Sequence, residues 1–468
     1  MNREDLSDLL FSQKDVKHIT GQAANILPVV ANRSTIIKNR FPEVIGEYVR
    51  YVTGILVNLD KLTDQQFVMI QDGHELSEFL AKDIEFKDDE AKHDFIRFID
   101  SYLFDQTTIK AVHPYIYNFL ETNPKEKNDF SKYGAFLCDV LAGENENIKE
   151  VFTNKDTNSI LTELILDKID HLKEAQLRKR LKTSIYEDLL PSLTELYKSD
   201  LMFLSKHEDY FLKYFPLLTH YYAFSYMMQL LVHLEGFTKS DYCKSKPLYY
   251  ALDWESLTKR RKAADAIEGF KFVKEHSDNL FAHIQVLSQL SYNGFNEHKE
   301  VNKVLGYSEL YKKIQLEGPE FEKKFIEELT NWIKDYMDWI KKPLPIELPQ
   351  TFNELLKVFL DCIKHGTSDS VRNKYGNAIE HLGSGVFLKA RGSLGTVLNM
   401  NHDLLMLMTA VIVKDERIPL NQLFEEFEKR GIKFDRYTIK EIIIVFNNHN
   451  ILDKKSDSGD AQYVKPIL

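Results

Sequence analysis

Four side chains near the C-terminus have the types and the spacing to read a nucleic acid: Arg436, Lys440, Asn447 and Asn448. At helical periodicity they share one side of a helix, opposite the apolar positions Ile439, Ile442, Ile443 and Phe446. From such a face an arginine can hold guanine, and an asparagine adenine, through paired hydrogen bonds in a major groove. Lys454 and Lys455, a few residues on, can touch phosphates. Acidic and basic residues are roughly equal in number over 401–468, and phosphate neutralisation supplies most nonspecific affinity. A DNA contact therefore requires local clustering of the cations. Without it, the same segment is a protein-docking module or a structural end-piece.

Other sets of residues carry weaker chemistry. Lys259, Arg260, Arg261 and Lys262 follow the aromatic run Tyr249–Trp254, a mixture that nucleic-acid grooves exploit. The run from Arg178 to Lys182 is similar, and both read equally well as solvated helix faces. Arg391, Gly392 and Gly395 set an arginine beside flexible backbone donors, which suits a phosphate or partner contact or a plain turn. The Gly-Lys-Ser or Gly-Lys-Thr ending of a P-loop is missing, as is the third glycine of a dinucleotide fingerprint. His220 and His233 lie on an apolar segment with no cysteine or carboxylate at ligand spacing, so core histidines are expected. Cys138, Cys243 and Cys362 are too scattered for a zinc knuckle or a disulfide framework. No metal or cofactor is expected. No hydrolase, zinc-protease or metal-nuclease motif is found, so the expectation is a protein that is not an enzyme. Asn448-His449-Asn450 is similar to the ending of some metal-dependent nucleases, but it falls where a helix should end and polar residues belong.

The elements that would position the C-terminal residues can be read in turn. Asp403–Val413 is apolar on almost every face, which predicts a buried central helix. Pro419 suits the first position of a second helix, whose apolar residues are Leu420, Leu423, Phe424 and Phe427 and whose end is a left-handed Gly431. Asp435 can cap the third helix. Ile451–Lys455 and Ala461–Lys465 then flank Ser-Asp-Ser-Gly-Asp, predicting a hairpin. Helix, helix, helix, hairpin is the order of a winged helix-turn-helix, predicted over 401–468 with the hairpin as its wing. Upstream, 1–345 reads as a large helical body of one or two subdomains, and 346–400 as a helical, Gly-rich connector region. The three prolines within Lys341–Pro349 mark the boundary, and Thr351-Phe-Asn-Glu354 has capping-box spacing. The predicted fold class is mainly α.

Whole-chain properties agree with this. In 468 residues there are only 13 prolines and 19 glycines, which favours long helices. The net charge of -10 gives no overall field to attract nucleic acid, so any DNA contact must be a local patch. Tyr214–Leu234 is uncharged, but its Pro216, His220, Gln229 and His233 suit a buried core helix better than a membrane span. The start of the chain lacks the pattern of a signal peptide, and a cytoplasmic location is expected.

Four stretches carry a family resemblance: Pro247–Glu255, Ala390–Asn401, Val413–Arg417 and Lys454–Leu468. Together they resemble the DptG (DndG) family, the G component of DNA phosphorothioation-dependent restriction systems. The likeness is sharpest over the last eighty or so residues and fades towards the N-terminus. It implies a noncatalytic subunit of a bacterial antiviral defence complex with two ATPase-type partners, DptF and DptH, acting on double-stranded DNA that lacks phosphorothioate. It carries no catalytic residues over to this chain. Two other classes stay open: a purely protein-facing scaffold that buries Ile444 and Tyr463, and a freestanding winged-helix DNA-binding regulator. A hidden nuclease is the weakest alternative and would demand magnesium-dependent cleavage.

Overall fold

The structure, a computed structural model, describes residues 1, 3–11, 18, 26–29, 33, 35–57, 74–82, 84–105, 108–120, 126–170, 185–257, 266–296, 304–341, 349–454 and 462–468. It is mostly helical with few strands, as the composition predicts. Two compact units are formed, one from residues 40–185 and 198–217, the other from 1–39, 186–197 and 218–468. Neither unit begins or ends at the boundaries expected near 345 and 400.

In the 40–185/198–217 unit, helix α1 (Phe41–Thr53) packs on α2 (Lys127–Leu137) so closely that a Cβ on Gly134 would lie 2.7 Å from Glu47 Cβ. Glu47 and Arg50, 1% and 8% exposed, form a buried pair on α1. The arginine also donates to the Asn118 and Leu120 carbonyls at 3.0 and 2.7 Å. Charge burial is tolerated because those acceptors replace water.

The other unit is built around a short sheet. The fully buried strand β1 (Leu248–Leu252) lies between β3 (Thr396–Met400) and β5 (Ile432–Lys433), parallel to both, and β2 (Leu388–Ala390) closes antiparallel on β3. A strand buried on both faces has no polar alternation, which is why Leu-Tyr-Tyr-Ala-Leu does not read as a strand. Residues 218–235 of the long helix α3 (Glu208–Glu235) also belong to this unit and are almost wholly buried, so the uncharged Tyr214–Leu234 stretch is a core helix. No helix among the described residues is long and apolar enough to cross a membrane. His220 and His233 are core residues as expected. His220 Nε2 donates to the Leu382 carbonyl at 2.7 Å, and His233 Nδ1 meets Ser240 Oγ at 3.2 Å. Burial lowers both imidazoles from the usual 6.5 to about 4.

The aromatic stripe of α5 (Pro319–Ile340) meets Phe352 and Phe359, with Phe325 and Tyr336 ring centres 5.9 and 6.1 Å from theirs, and its Trp332 indole donates to Gln289 of helix α4 (Leu280–Leu290) at 2.9 Å. The 346–400 segment contributes α6 (Phe352–Gly366), α7 (Asp369–Gly383) and the β2–β3 hairpin to this unit. Of its six glycines, Gly366, Gly376 and Gly383 sit in helices where neighbouring side chains or backbone leave no room for a Cβ, rather than at turns. The capping box also differs from expectation. The Thr351 hydroxyl donates to the Glu354 carboxylate at 2.8 Å and accepts no backbone N–H, yet the helix starts at Phe352 as predicted.

Four further elements follow Met400: α8 (His402–Val413), β4 (Ile418–Pro419), α9 (Leu420–Lys429) and, after β5, α10 (Arg436–Asn448). The hairpin of β6 (Leu452–Lys454) and β7 (Gln462–Val464) adds β4 on its far side, giving the antiparallel order β4-β7-β6. Pro419 ends a strand and precedes the helix, where the sequence suggests it as the first helical residue.

Candidate functional site

The position of α10 is fixed from its first residue. Asp435, 5% exposed, accepts from the Tyr437 and Thr438 amides at 2.8 and 2.7 Å and from the Tyr249 hydroxyl at 3.3 Å. This is the predicted N-cap, and its carboxylate also ties the helix to β1. Thr438 adds a second tie, its hydroxyl donating to the buried Glu255 carboxylate at 2.9 Å. Upstream, Gly431 takes φ +83°, as the sequence predicts, and the Tyr221 hydroxyl donates to the Arg430 carbonyl at 2.6 Å. Ile442 and Phe446 turn into the core, while Arg436, Lys440, Ile444, Asn447 and Asn448 are exposed along one stripe. At 1.5 Å per residue that stripe is ~18 Å long, about the reach of a helix laid in a major groove.

Electrostatics decide whether the stripe can meet an anion. Arg436 donates to the Tyr437 hydroxyl at 2.7 Å and its guanidinium carbon lies 4.7 Å from that ring's centre. Tyr437 is thus a supporting residue that the sequence reading missed, although its place beside Arg436 was a usable signal. Among the described residues, neither Arg436 nor Lys440 forms an ion pair with a carboxylate, while Lys429, Arg430 and Lys433 each face Glu426 or Glu428. The near balance of charge over 401–468 is thus uneven in space: the acids of α9 meet the cations around its own C-terminal end and leave those of α10 open. On the sheet, Asp453 lies 3.9 Å from both Arg417 and Lys465.

The other predicted residues are dispersed. Lys454 lies in β6 with its backbone paired to Gln462. Lys455 and the turn after it lie outside the described residues, as do Lys259, Arg260, Arg261, Lys262 and the Arg178–Lys182 run. Arg391 is tied into the fold. Its guanidinium donates to the carbonyls of Leu252, Asp253 and Glu255 at 2.8, 3.2 and 2.8 Å and to Asn399 Oδ1 at 3.1 Å. Gly392 and Gly395, both with positive φ, make the β2–β3 turn. A cleft of about 390 Å³ adjoins that turn, and its Lys271 and Lys274 are paired, the first with Glu275 of the cleft and the second with Glu380 outside its lining.

No protein-family model matches the chain, and no curated protein matches it.

Proposed function

We propose that residues 401–468 form a winged helix-turn-helix whose α10 meets double-stranded DNA, within a noncatalytic subunit of a phosphorothioation-dependent restriction complex. The observation that carries this reading is the exposed α10 stripe, in which Arg436 and Lys440 have no carboxylate partner among the described residues and Asn447 and Asn448 follow on the same side. The connectivity supports it too. Apart from β5, which joins the other sheet, a helix, a strand, two more helices and a hairpin, with strand order β4-β7-β6, is the arrangement in which such modules present their third helix and wing. The larger role, as adaptor between the ATPase-type partners DptF and DptH and DNA lacking phosphorothioate, rests on the sequence resemblance to the DptG family.

A second reading has its own observation. Ile444 is 51% exposed in the middle of the stripe. An isoleucine so placed suits a thymine methyl in a groove, and suits equally a pocket on a protein partner.

Duplex binding measured across a salt series separates the two. In the DNA reading the chain binds with an affinity that falls steeply with salt, and Arg436→Ala with Lys440→Ala lowers the slope of log K against log salt by about 2 while partner assembly persists. In the docking reading neither the chain nor its complex responds to that double variant, and Ile444→Asp breaks assembly instead. Co-expression with the two ATPases tests the larger role: a defined complex supports it, and the failure of either ATPase to co-purify overturns it.

A further inference from the structure

Two histidines 47 positions apart in sequence meet at the surface beside α10. His402 opens α8 and His449 follows the last residue of α10, and both are exposed. Their Nε2 atoms are 3.2 Å apart and their ring centres 5.1 Å apart. Two imidazoles bound to one ion at ~2.0–2.1 Å, near a tetrahedral angle, set their nitrogens roughly 3.2–3.4 Å apart and their ring centres about 5 Å apart. Both separations fit that geometry. We propose that His402 and His449 form a bidentate site for a borderline divalent metal ion of the zinc, nickel or copper kind, which ties the start of α8 to the end of α10.

The chemistry of the donors supports that class. Neutral imidazole nitrogen suits zinc, nickel and copper, whereas magnesium and calcium prefer oxygen. Without metal, one Nε2–H donates to the other Nε2. Binding needs both Nε2 lone pairs, so in the neutral pair the donor ring takes its other tautomer, its proton moving through solvent to Nδ1 with no net release. Among the described residues no third His, Cys, Asp or Glu joins the pair. The ion's other positions are thus filled by water or by a donor from outside the chain. The site stands apart from the DNA reading, because the pair and its geometry are the same whatever α10 meets.

Trp254 supplies a built-in reporter, its ring centre 6.4 Å from that of His402 and its side chain 45% exposed. The test uses the full chain without an affinity tag, titrated with Zn²⁺ against a chromophoric chelator and with Cu²⁺ or Ni²⁺ by tryptophan fluorescence. One equivalent of metal should bind above pH 7, with a partial quench that Trp254→Phe removes while binding persists. His402→Gln and His449→Gln should each cost at least tenfold in affinity, with thermal unfolding without metal unchanged because both side chains are exposed. The proposal is overturned if no saturable equivalent binds, if the double variant binds as the parent does, or if Mg²⁺ competes on equal terms.

Discussion

His220 shows how much one buried titratable residue can set. It lies in the apolar part of α3, 7% exposed, donates from Nε2 to the Leu382 carbonyl, and meets the Phe387 ring edge-on at 4.7 Å. Burial holds it near 4, below the ~6.5 of an unfolded histidine, so as pH falls the unfolded chain takes up its proton first. The stabilisation is therefore present in full above about pH 6.5 and is lost as pH drops towards 4, on the order of 3 kcal/mol for this residue. His233 acts in the same direction over the same window. Urea unfolding at pH 7.0 and 4.5 should show His220→Gln losing less stability between the two than the parent does. Equal losses would mean that His220 does not titrate differently on folding.

At the scale of elements, the turn between α9 and α10 sets where the exposed stripe points. Gly431 is central to it. Its φ of +83° is costly for any residue with a side chain, and an added Cβ would lie 2.7 Å from Gln229 Nε2. That amide cannot simply retreat, since it donates to the Lys246 carbonyl at 2.7 Å and its oxygen accepts from the Lys246 amide at 2.8 Å. Gly431→Ala should cost roughly 1–3 kcal/mol, measured as a lower urea midpoint with an unchanged slope. This turn is legible in the sequence because its punctuation is local: Gly431 for the left-handed end, Asp435 for the cap, and apolar residues at helical spacing on either side. The same local logic places the β6–β7 hairpin. It fails for β1, whose apolar run lacks alternation, and for the two-residue strands β4 and β5, which are defined only by partners far along the chain. The site divides in the same way. Its cations can be read from helical register, but that the acids of α9 leave them open depends on packing, and the meeting of His402 with His449 has no sequence signal at all.

On the scale of the whole molecule, 401–468 is bound into the larger unit through the sheet. Leu248 and Tyr249 pair with Ile432 and Lys433, and Tyr250–Leu252 pair with Leu398–Met400. A chain ending at residue 400 would leave one edge of an apolar strand open, the kind of edge that recruits further chains. Such a 1–400 fragment should therefore elute as aggregate by size-exclusion with light scattering, where the full chain gives a defined species. A monodisperse, folded fragment would show that the β1–β5 pairing contributes little. The parallel pairing has a further consequence, in time. Leu248 waits for Ile432, so at ribosomal rates of roughly 5–20 residues per second its partner is made some ten to forty seconds later. Until Thr396–Met400 is made Leu-Tyr-Tyr-Ala-Leu has both edges unfilled, and from then until Ile432 it has one, while the nascent chain is still tethered. Synthesis of this protein should thus be most sensitive to chaperone supply, and to translation pauses, between β1 and β5.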